Sequence, residues 1–369
     1  MAGRLNLRNA PKAIGTALLA PAVAVAVAVV ATSLVIVLSG SNSGIGDFWS
    51  VMLSTPEHQT LVNIVNLSVE LYIAAVAAAI GFRMGLFNIG VEGQYGLAAY
   101  VAAVFAGGMF LPGPLNILVS TLLAMVVGAA WAGIAALLKV YRGVSEVITT
   151  LMLNAIGPII VTHFYNRYAE TNGFNVHTKM LTGSSTIPGW APYGVNGGEI
   201  WTLGLLAVVV GVGFWLLLNR TRLGFDLRAT GLSATAAAAS GVSSKKMVIV
   251  AMLLSGGVAG LVWLPDLFGN AHTYSNATFS GGLGFTGLAV ALLGRNRAGG
   301  MAFGALLFAW LTSQSDALQI DTDIAPQIVE ITQGICVLAV VVAYELVQRY
   351  RARAEQKAVA DAVPEAVAA

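Results

Sequence analysis

Charged side chains are scarce in this sequence. Of 369 residues, 19 are Lys or Arg and 17 are Asp or Glu, 10% in all, where a soluble globular domain carries about 25%. So few charges cannot clothe a water-facing surface, which excludes an ordinary soluble enzyme and a nucleic-acid binder. A hydrophobic content of 57% excludes a disordered chain. Cysteine is nearly absent. Cys336 stands alone, which excludes a disulfide framework or a Cys-rich metal site, and its apolar run marks it as an inert packing thiol. The four histidines, His58, His163, His177 and His272, show no HxxxH spacing and no Cys partner, so no metal site is expected. The chain has no GxxxxGK[ST] phosphate loop and no GxSxG, HExxH or CxxC. No catalytic residue and no cofactor are therefore assigned to it, and it cannot couple to ATP alone.

What the sequence has in abundance is long apolar runs. A helix needs roughly 20 apolar residues to cross a bilayer. Ten such spans are expected, at 14–38, 60–82, 90–110, 115–138, 146–165, 200–219, 247–264, 283–294, 298–314 and 326–347. The first follows Arg4, Arg8 and Lys12, as a signal peptide would, but its apolar run is too long for one and is expected to be retained. Alternating the ten spans with the N-terminus inside puts 17 of the 19 basic residues on the inner side. Only Arg167 and Lys179 fall outside. A missed or invented span would destroy that asymmetry, so the positive-inside rule supports both the count and two cytoplasmic termini. The expected fold is an all-α polytopic membrane protein of about ten transmembrane helices. Residues 1–348 form a single membrane domain and 349–369 a cytoplasmic tail.

Two connections are long. Residues 166–199, outside, carry Pro188, Gly189, Trp190, Pro192 and Tyr193 and read as an ordered cap or docking loop. Residues 220–246, inside, hold an Ala-rich stretch from Ser233 to Ser240, which reads as a short surface helix with Gly241 at its C′ position. Glycine, 42 residues in all, clusters: five lie in 81–96 and seven in 281–300. Each cluster accompanies the second element of a four-span block, 60–165 or 247–347. The blocks begin on opposite sides, which is the pattern of an inverted repeat with short or broken helices beside a midplane path. Close helix packing at glycine is the compatible plainer reading.

Ionisable groups inside a span are costly and should face the protein interior or water. Gln59, Asn63, Asn66 and Glu70 fall at i, i+4, i+7 and i+11 on one face of the second span. Asp323, Gln327, Glu330 and Gln333 make a similar stripe on the tenth, and Glu146, Thr150 and Asn154 on the fifth, with Pro158 a candidate kink. Asn88 and Glu92 occupy the Gly-rich entry to the third span, where they could also cap it. The candidate substrate-path residues are thus Asn63, Asn66, Glu70, Asn88, Glu92, Asn154, Glu330 and Gln333, with interhelical hydrogen bonding as their alternative role.

Four segments carry a resemblance to a known family: GLFNIGVEGQYGLAAYVAAVFAG at 85–107, SEVITTLMLNAI at 145–156, RATGLSATAAAASGVSSKKMVIVAMLLSGGVAGLVW at 228–263 and GFTGLAVALLGRNRAGG at 284–300. The chain resembles permease subunits of bacterial ABC importers in the branched-chain amino acid/ribose superfamily, most of all the nucleoside-importer branch. The resemblance implies an inner-membrane transport subunit rather than an enzyme. It implies a second permease subunit, often a different chain, cytoplasmic ATPase subunits carrying ATP and Mg, and an extracytoplasmic substrate-binding lipoprotein. It places the ATPase-coupling element on Arg228 and Gly231 to Gly241, with Ala236 and Ala237 at its centre. Where the family usually carries Asn or Pro, Ser233 and Ala234 stand here. A permease for sugars or branched-chain amino acids, and a stand-alone secondary transporter, are the alternatives.

Overall fold

The computed structural model describes residues 10–40, 43–172 and 175–367. Arg4 and Arg8, counted above on the inner side, lie outside the described residues. Fourteen α-helical segments succeed one another among the described residues. The first five are α1 (Ala10–Ser39), α2 (Ile45–Met52), α3 (His58–Arg83), α4 (Val91–Gly108) and α5 (Gly113–Arg142). Then come α6 (Glu146–Tyr168), α7 (Leu205–Arg220), α8 (Arg222–Leu232), α9 (Ala234–Ala239) and α10 (Ser244–Ala259). A single turn, α11 (Leu264–Asp266), runs into a π turn, Leu267–Ala271. Last are α12 (Leu283–Leu293), α13 (Ala298–Asp321) and α14 (Gln327–Val367).

Each of the ten expected spans lies on a helix, although the helices are unequal. Among the described residues, six segments are long and apolar enough to cross a membrane: His58–Arg83, Gly113–Arg142, Glu146–Tyr168, Thr202–Arg220, Ser244–Ala271 and Gln327–Val347. Val25–Ser39, within α1, is a further apolar stretch, and Leu283–Leu293 is a shorter apolar helix. α4 is diluted by Glu92, Gln94 and its glycines, and α13 by Gln314, Asp316 and Asp321 near its end. α12 is short, as its glycine-rich surroundings imply. α6 runs through Pro158 as one helix.

The chain divides into two compact units. The larger, Thr55–Ser313, is built around α3. From Leu71 to Ala79 this helix is buried on almost every side, Tyr72 alone being partly open, and five of its residues there are alanine. Alanine lets α10 and α12 approach closely. α5 and α10 touch backbone to backbone, since a Cβ on Gly128 would lie 2.2 Å from the Gly256 carbonyl and one on Gly260 2.2 Å from that of Ala124. The 166–199 connection carries regular structure among its described residues. It holds a two-stranded hairpin, β1 (Glu170–Asn172) and β2 (Asn175–His177). Beyond the hairpin, the backbone N–H groups of Thr178, Leu181 and Ile187 donate to the carbonyls of Tyr274, His272 and Phe268 at 2.8–2.9 Å.

The 220–246 connection differs from expectation. It holds two helices, α8 and α9, where one was foreseen. Polar Arg222, Asp226 and Arg228 hide α8 from an apolar-run reading. Ser233 ends α8 and caps α9, its Oγ accepting the Ala236 N–H at 3.2 Å. A serine here does the capping work an asparagine would do. Gly241 sits at φ +86°. Its N–H donates to the Ala238 carbonyl, and that of Val242 to the Ala237 carbonyl, each at 3.0 Å, a Schellman closure at the expected C′ glycine.

The smaller unit comprises Met1–Ser54 and Gln314–Ala369. There α1 packs on α14 through Ala28, Ala339 and Ala343, with Cys336 half-buried beside them. Gln314 Nε2 donates to the Val51 carbonyl at 2.9 Å, and the Ser43 N–H to Asp323 Oδ1 at 3.0 Å.

Candidate functional site

The polar stripe on α3 separates into two halves. Gln59 and Asn63 are exposed near the helix start, whereas Asn66 and Glu70 are buried. Asn66 is committed to backbone: its Nδ2 donates to the Glu199 carbonyl at 2.8 Å and its Oδ1 accepts the Trp201 N–H at 3.1 Å. It clamps the end of the long connection onto α3. Glu70, one turn further, is 3% exposed, and its Oε1 has no hydrogen-bond partner. A buried acidic oxygen without a partner is costly to keep.

The Gly-rich entry to α4 is held by its own Asn88 and Gln94 and by side chains from two other helices, α6 and α10. Asn88 is fully buried, and all its capacity is used. Its Oδ1 accepts the Gly90 N–H at 3.0 Å and Gln94 Nε2 at 2.9 Å, and its Nδ2 donates to Gln94 Oε1 at 3.0 Å and Ser255 Oγ at 2.8 Å. Ser255 donates in turn to the Ala77 carbonyl at 2.6 Å. Asn154, on α6, accepts the Gly93 N–H at 2.9 Å and donates to the Ile89 carbonyl at 2.8 Å. Gly93 N–H is one of the orphan donors that every helix start leaves, and here a neighbouring helix satisfies it. Glu146 begins the same polar face of α6. It forms an ion pair with Lys139 and accepts the Phe87 N–H at 3.4 Å.

Glu92 performs the same task for α12. Its Oε1 accepts the Gly282 N–H at 2.7 Å and its Oε2 the Gly284 N–H at 2.9 Å. The carboxylate of one helix's first turn thus caps the start of another, where the macrodipole favours negative charge. Gly284 is required there, because a Cβ would fall 2.4 Å from the Glu92 backbone nitrogen. The Tyr95 hydroxyl lies 3.0 Å from Glu92 Oε1 and 2.8 Å from the Ser280 carbonyl. Around this junction Tyr95, Trp263, Tyr274 and Phe279 form an aromatic cluster with ring centroids 4.9–5.8 Å apart.

The structure therefore brings Asn66, Glu70, Asn88, Glu92 and Asn154 into one unit, around two interrupted helices. Glu330 is exposed and Gln333 half-buried on α14, in the other unit. Of the coupling candidates, Ala237 is buried and Ala236 exposed. Arg228 Nε donates to the Gly224 carbonyl at 3.3 Å. Gly231 presses on the end of α3, where a Cβ would come 2.7 Å from the Arg83 carbonyl.

Sequence reasoning missed Asp266. It is buried and accepts Asn270 Nδ2 at 2.9 Å. The signal was present, an Asp and an Asn at i, i+4 just past Pro265, but the expected span stopped at 264. Gln94 and Ser255 were missed as well, because single polar residues among apolar neighbours have no periodicity to betray them.

The family model of the branched-chain amino acid transport system permease component matches residues 60–342. The guanosine ABC transporter permease protein NupP of Bacillus subtilis is 31% identical over 89% of this chain and 94% of its own length. The nucleoside ABC transporter permease protein NupB of Lactococcus lactis is 30% identical over 74% of this chain and 77% of its own. The glucose ABC transporter permease protein TsgB13 of Haloferax volcanii is 31% identical over 79% and 78%.

Proposed function

This chain belongs to the family of branched-chain amino acid transport system permease components, and on that premise we propose that it carries nucleosides inward as the permease subunit of an ABC importer. It is a transport component and not an enzyme, and permeases of this family work with ATPase and substrate-binding components. The observation that carries the nucleoside reading is the match to the guanosine permease over nearly the whole of both chains.

The helix breaks support that reading over an amino acid cargo. An interrupted helix start commonly receives the carboxylate of an anionic substrate. Here Asn88 and Asn154 take N–H groups at the start of α4, and Glu92 takes two at the start of α12. These donors are satisfied within the protein, an arrangement suited to a neutral polar cargo. Glu70, with its free Oε1, is the proposed contact to that cargo, with exposed Asn63 towards the mouth of the path. Asn66, Asn88, Glu92 and Asn154 are proposed to hold the path open by fixing its backbone. Glu330 and Gln333 are proposed as a separate polar face on α14.

ATP and Mg are proposed to act on separate cytoplasmic ATPase subunits. Their docking element is α9, with Ala236 at its exposed face and Arg228, Gly231, Ala237 and Gly241 shaping it. A second, different permease chain and an extracytoplasmic lipoprotein complete the proposed assembly. Both termini are proposed to lie in the cytoplasm, at a bacterial inner membrane, a reading that the 17-to-2 basic asymmetry supports. The glucose permease relative favours a sugar as the second reading. Uptake of radiolabelled guanosine in a deletion strain, with competition by other nucleosides, glucose and leucine, decides among them. Loss of uptake in the deletion and competition by nucleosides alone is expected; competition by glucose alone overturns the nucleoside reading.

A further inference from the structure

In the larger unit, a cavity of about 400 Å³ is lined by three arginines, Arg83, Arg228 and Arg297, together with Asn219 and Asn296. None of the three makes an ion pair among the described residues. Arg83 is positioned by backbone, its Nε and Nη2 donating to the Asn296 carbonyl at 3.0 and 2.6 Å. α13 begins at this cavity, with Ala298 and Gly299 in its wall, so the positive end of that helix adds to the field. Three guanidiniums and a helix start with no carboxylate between them form a site built for an anion. Guanidinium forks match the oxygens of a phosphate in particular.

The cavity does not stand alone. An apolar groove of about 470 Å³ shares Trp215, Ala298 and Gly299 with it. The groove continues between α3, α7 and α13 past Tyr72, Val212, Ala302 and Leu306. A cationic pocket at the end of three helices, sharing its wall with an apolar groove along them, fits a molecule with a phosphate at one end and a hydrocarbon chain at the other. We propose that an anionic phospholipid occupies this site, its phosphate among Arg83, Arg228 and Arg297 and an acyl chain in the groove beside Trp215. Basic pockets between membrane helices are where such headgroups are held. An acidic segment of a partner protein would account for the arginines but would leave the groove unexplained. The leaflet that supplies the lipid follows from the orientation proposed above. Binding measured in detergent does not depend on it, so the two can fail separately.

The test uses the purified full chain in detergent, offered phosphatidylglycerol or phosphatidylcholine, with retained lipid counted by native mass spectrometry. Phosphatidylglycerol is expected to be retained in preference to phosphatidylcholine. Arg297→Gln should cut its retention about fivefold, the effect of removing one interfacial charge, whereas Arg297→Lys should keep most of it. Ala302→Trp fills the groove and leaves the arginines. It should abolish the preference for phosphatidylglycerol while inorganic phosphate still protects Arg297 from a guanidinium-modifying reagent. Equal retention of the two lipids, or no effect of Arg297→Gln in a variant that stays monodisperse, overturns the proposal. If Ala302→Trp retains phosphatidylglycerol as the parent does, the acyl chain does not lie in the groove and the proposal falls; if inorganic phosphate protects Arg297 in the parent chain while the two lipids are retained equally, the site takes a free phosphate instead.

Discussion

At the scale of single residues, two carboxylates in one membrane unit have opposite circumstances. Glu92 is fully engaged: both its oxygens accept N–H groups from the start of α12. Glu92→Ala would leave two backbone donors without acceptors, at a cost of about 2–4 kcal/mol. A lower thermal midpoint in detergent is the expected result, with Glu92→Gln recovering part of it through its one remaining oxygen. Glu70 is buried with Oε1 unpaired, so its removal relieves a cost instead of creating one. Glu70→Leu is therefore expected to keep or raise the thermal midpoint and to lower uptake. Unchanged uptake would mean that the α3 stripe only packs.

At the scale of elements, the crossing of α5 and α10 offers a sharp contrast between neighbouring glycines. A Cβ on Gly256 would lie 2.3 Å from the Gly128 carbonyl and 2.5 Å from Ala132 Cβ, whereas one on Gly257 meets nothing closer than 3.7 Å. Gly256→Ala should force the helices apart and reduce the yield of folded protein. Gly257→Ala should be neutral or stabilising, by up to about 1 kcal/mol of helix propensity. Thermal unfolding of both variants in one detergent measures the difference. α9 makes a similar contrast. Ala237 faces its own chain and Ala236 faces away, so Ala236→Glu tests docking without disturbing the helix's seat. Loss of ATPase co-purification with normal membrane insertion is expected. Co-purification at the parental level would remove α9 from the coupling role.

At the scale of the whole molecule, the distribution of charge makes a topological prediction. A fluorescent reporter that matures only in the cytoplasm is expected to shine when fused to the C-terminus or inserted in the 220–246 connection. It should stay dark in the 166–199 connection. Signal from the 166–199 insertion would reverse the proposed orientation and with it the face on which α9 and the arginine cavity lie.

The sequence by itself determined the class of the molecule, the place of the ten apolar helices, the short α12 and the C′ role of Gly241. These are properties of local composition: apolar length, small residues, turn chemistry and the placement of basic residues all act within a few neighbours along the chain. It also singled out Asn66, Glu70, Asn88, Glu92 and Asn154 as polar groups that must be accounted for. Only the tertiary structure decided what each of them does. Whether a buried amide meets a cargo or a backbone N–H depends on which residue lies opposite, and those partners are distant in the chain: Glu199 for Asn66, Ser255 for Asn88, Gly282 and Gly284 for Glu92. α8 was hidden because its helicity rests on a Thr221 cap and on packing against α7 rather than on an apolar run. The gathering of Arg83, Arg228 and Arg297 around one cavity was hidden for the same reason. Three segments far apart in sequence, the end of α3, α8 and the residue before α13, meet there, and electrostatic fields add in space, not along the chain.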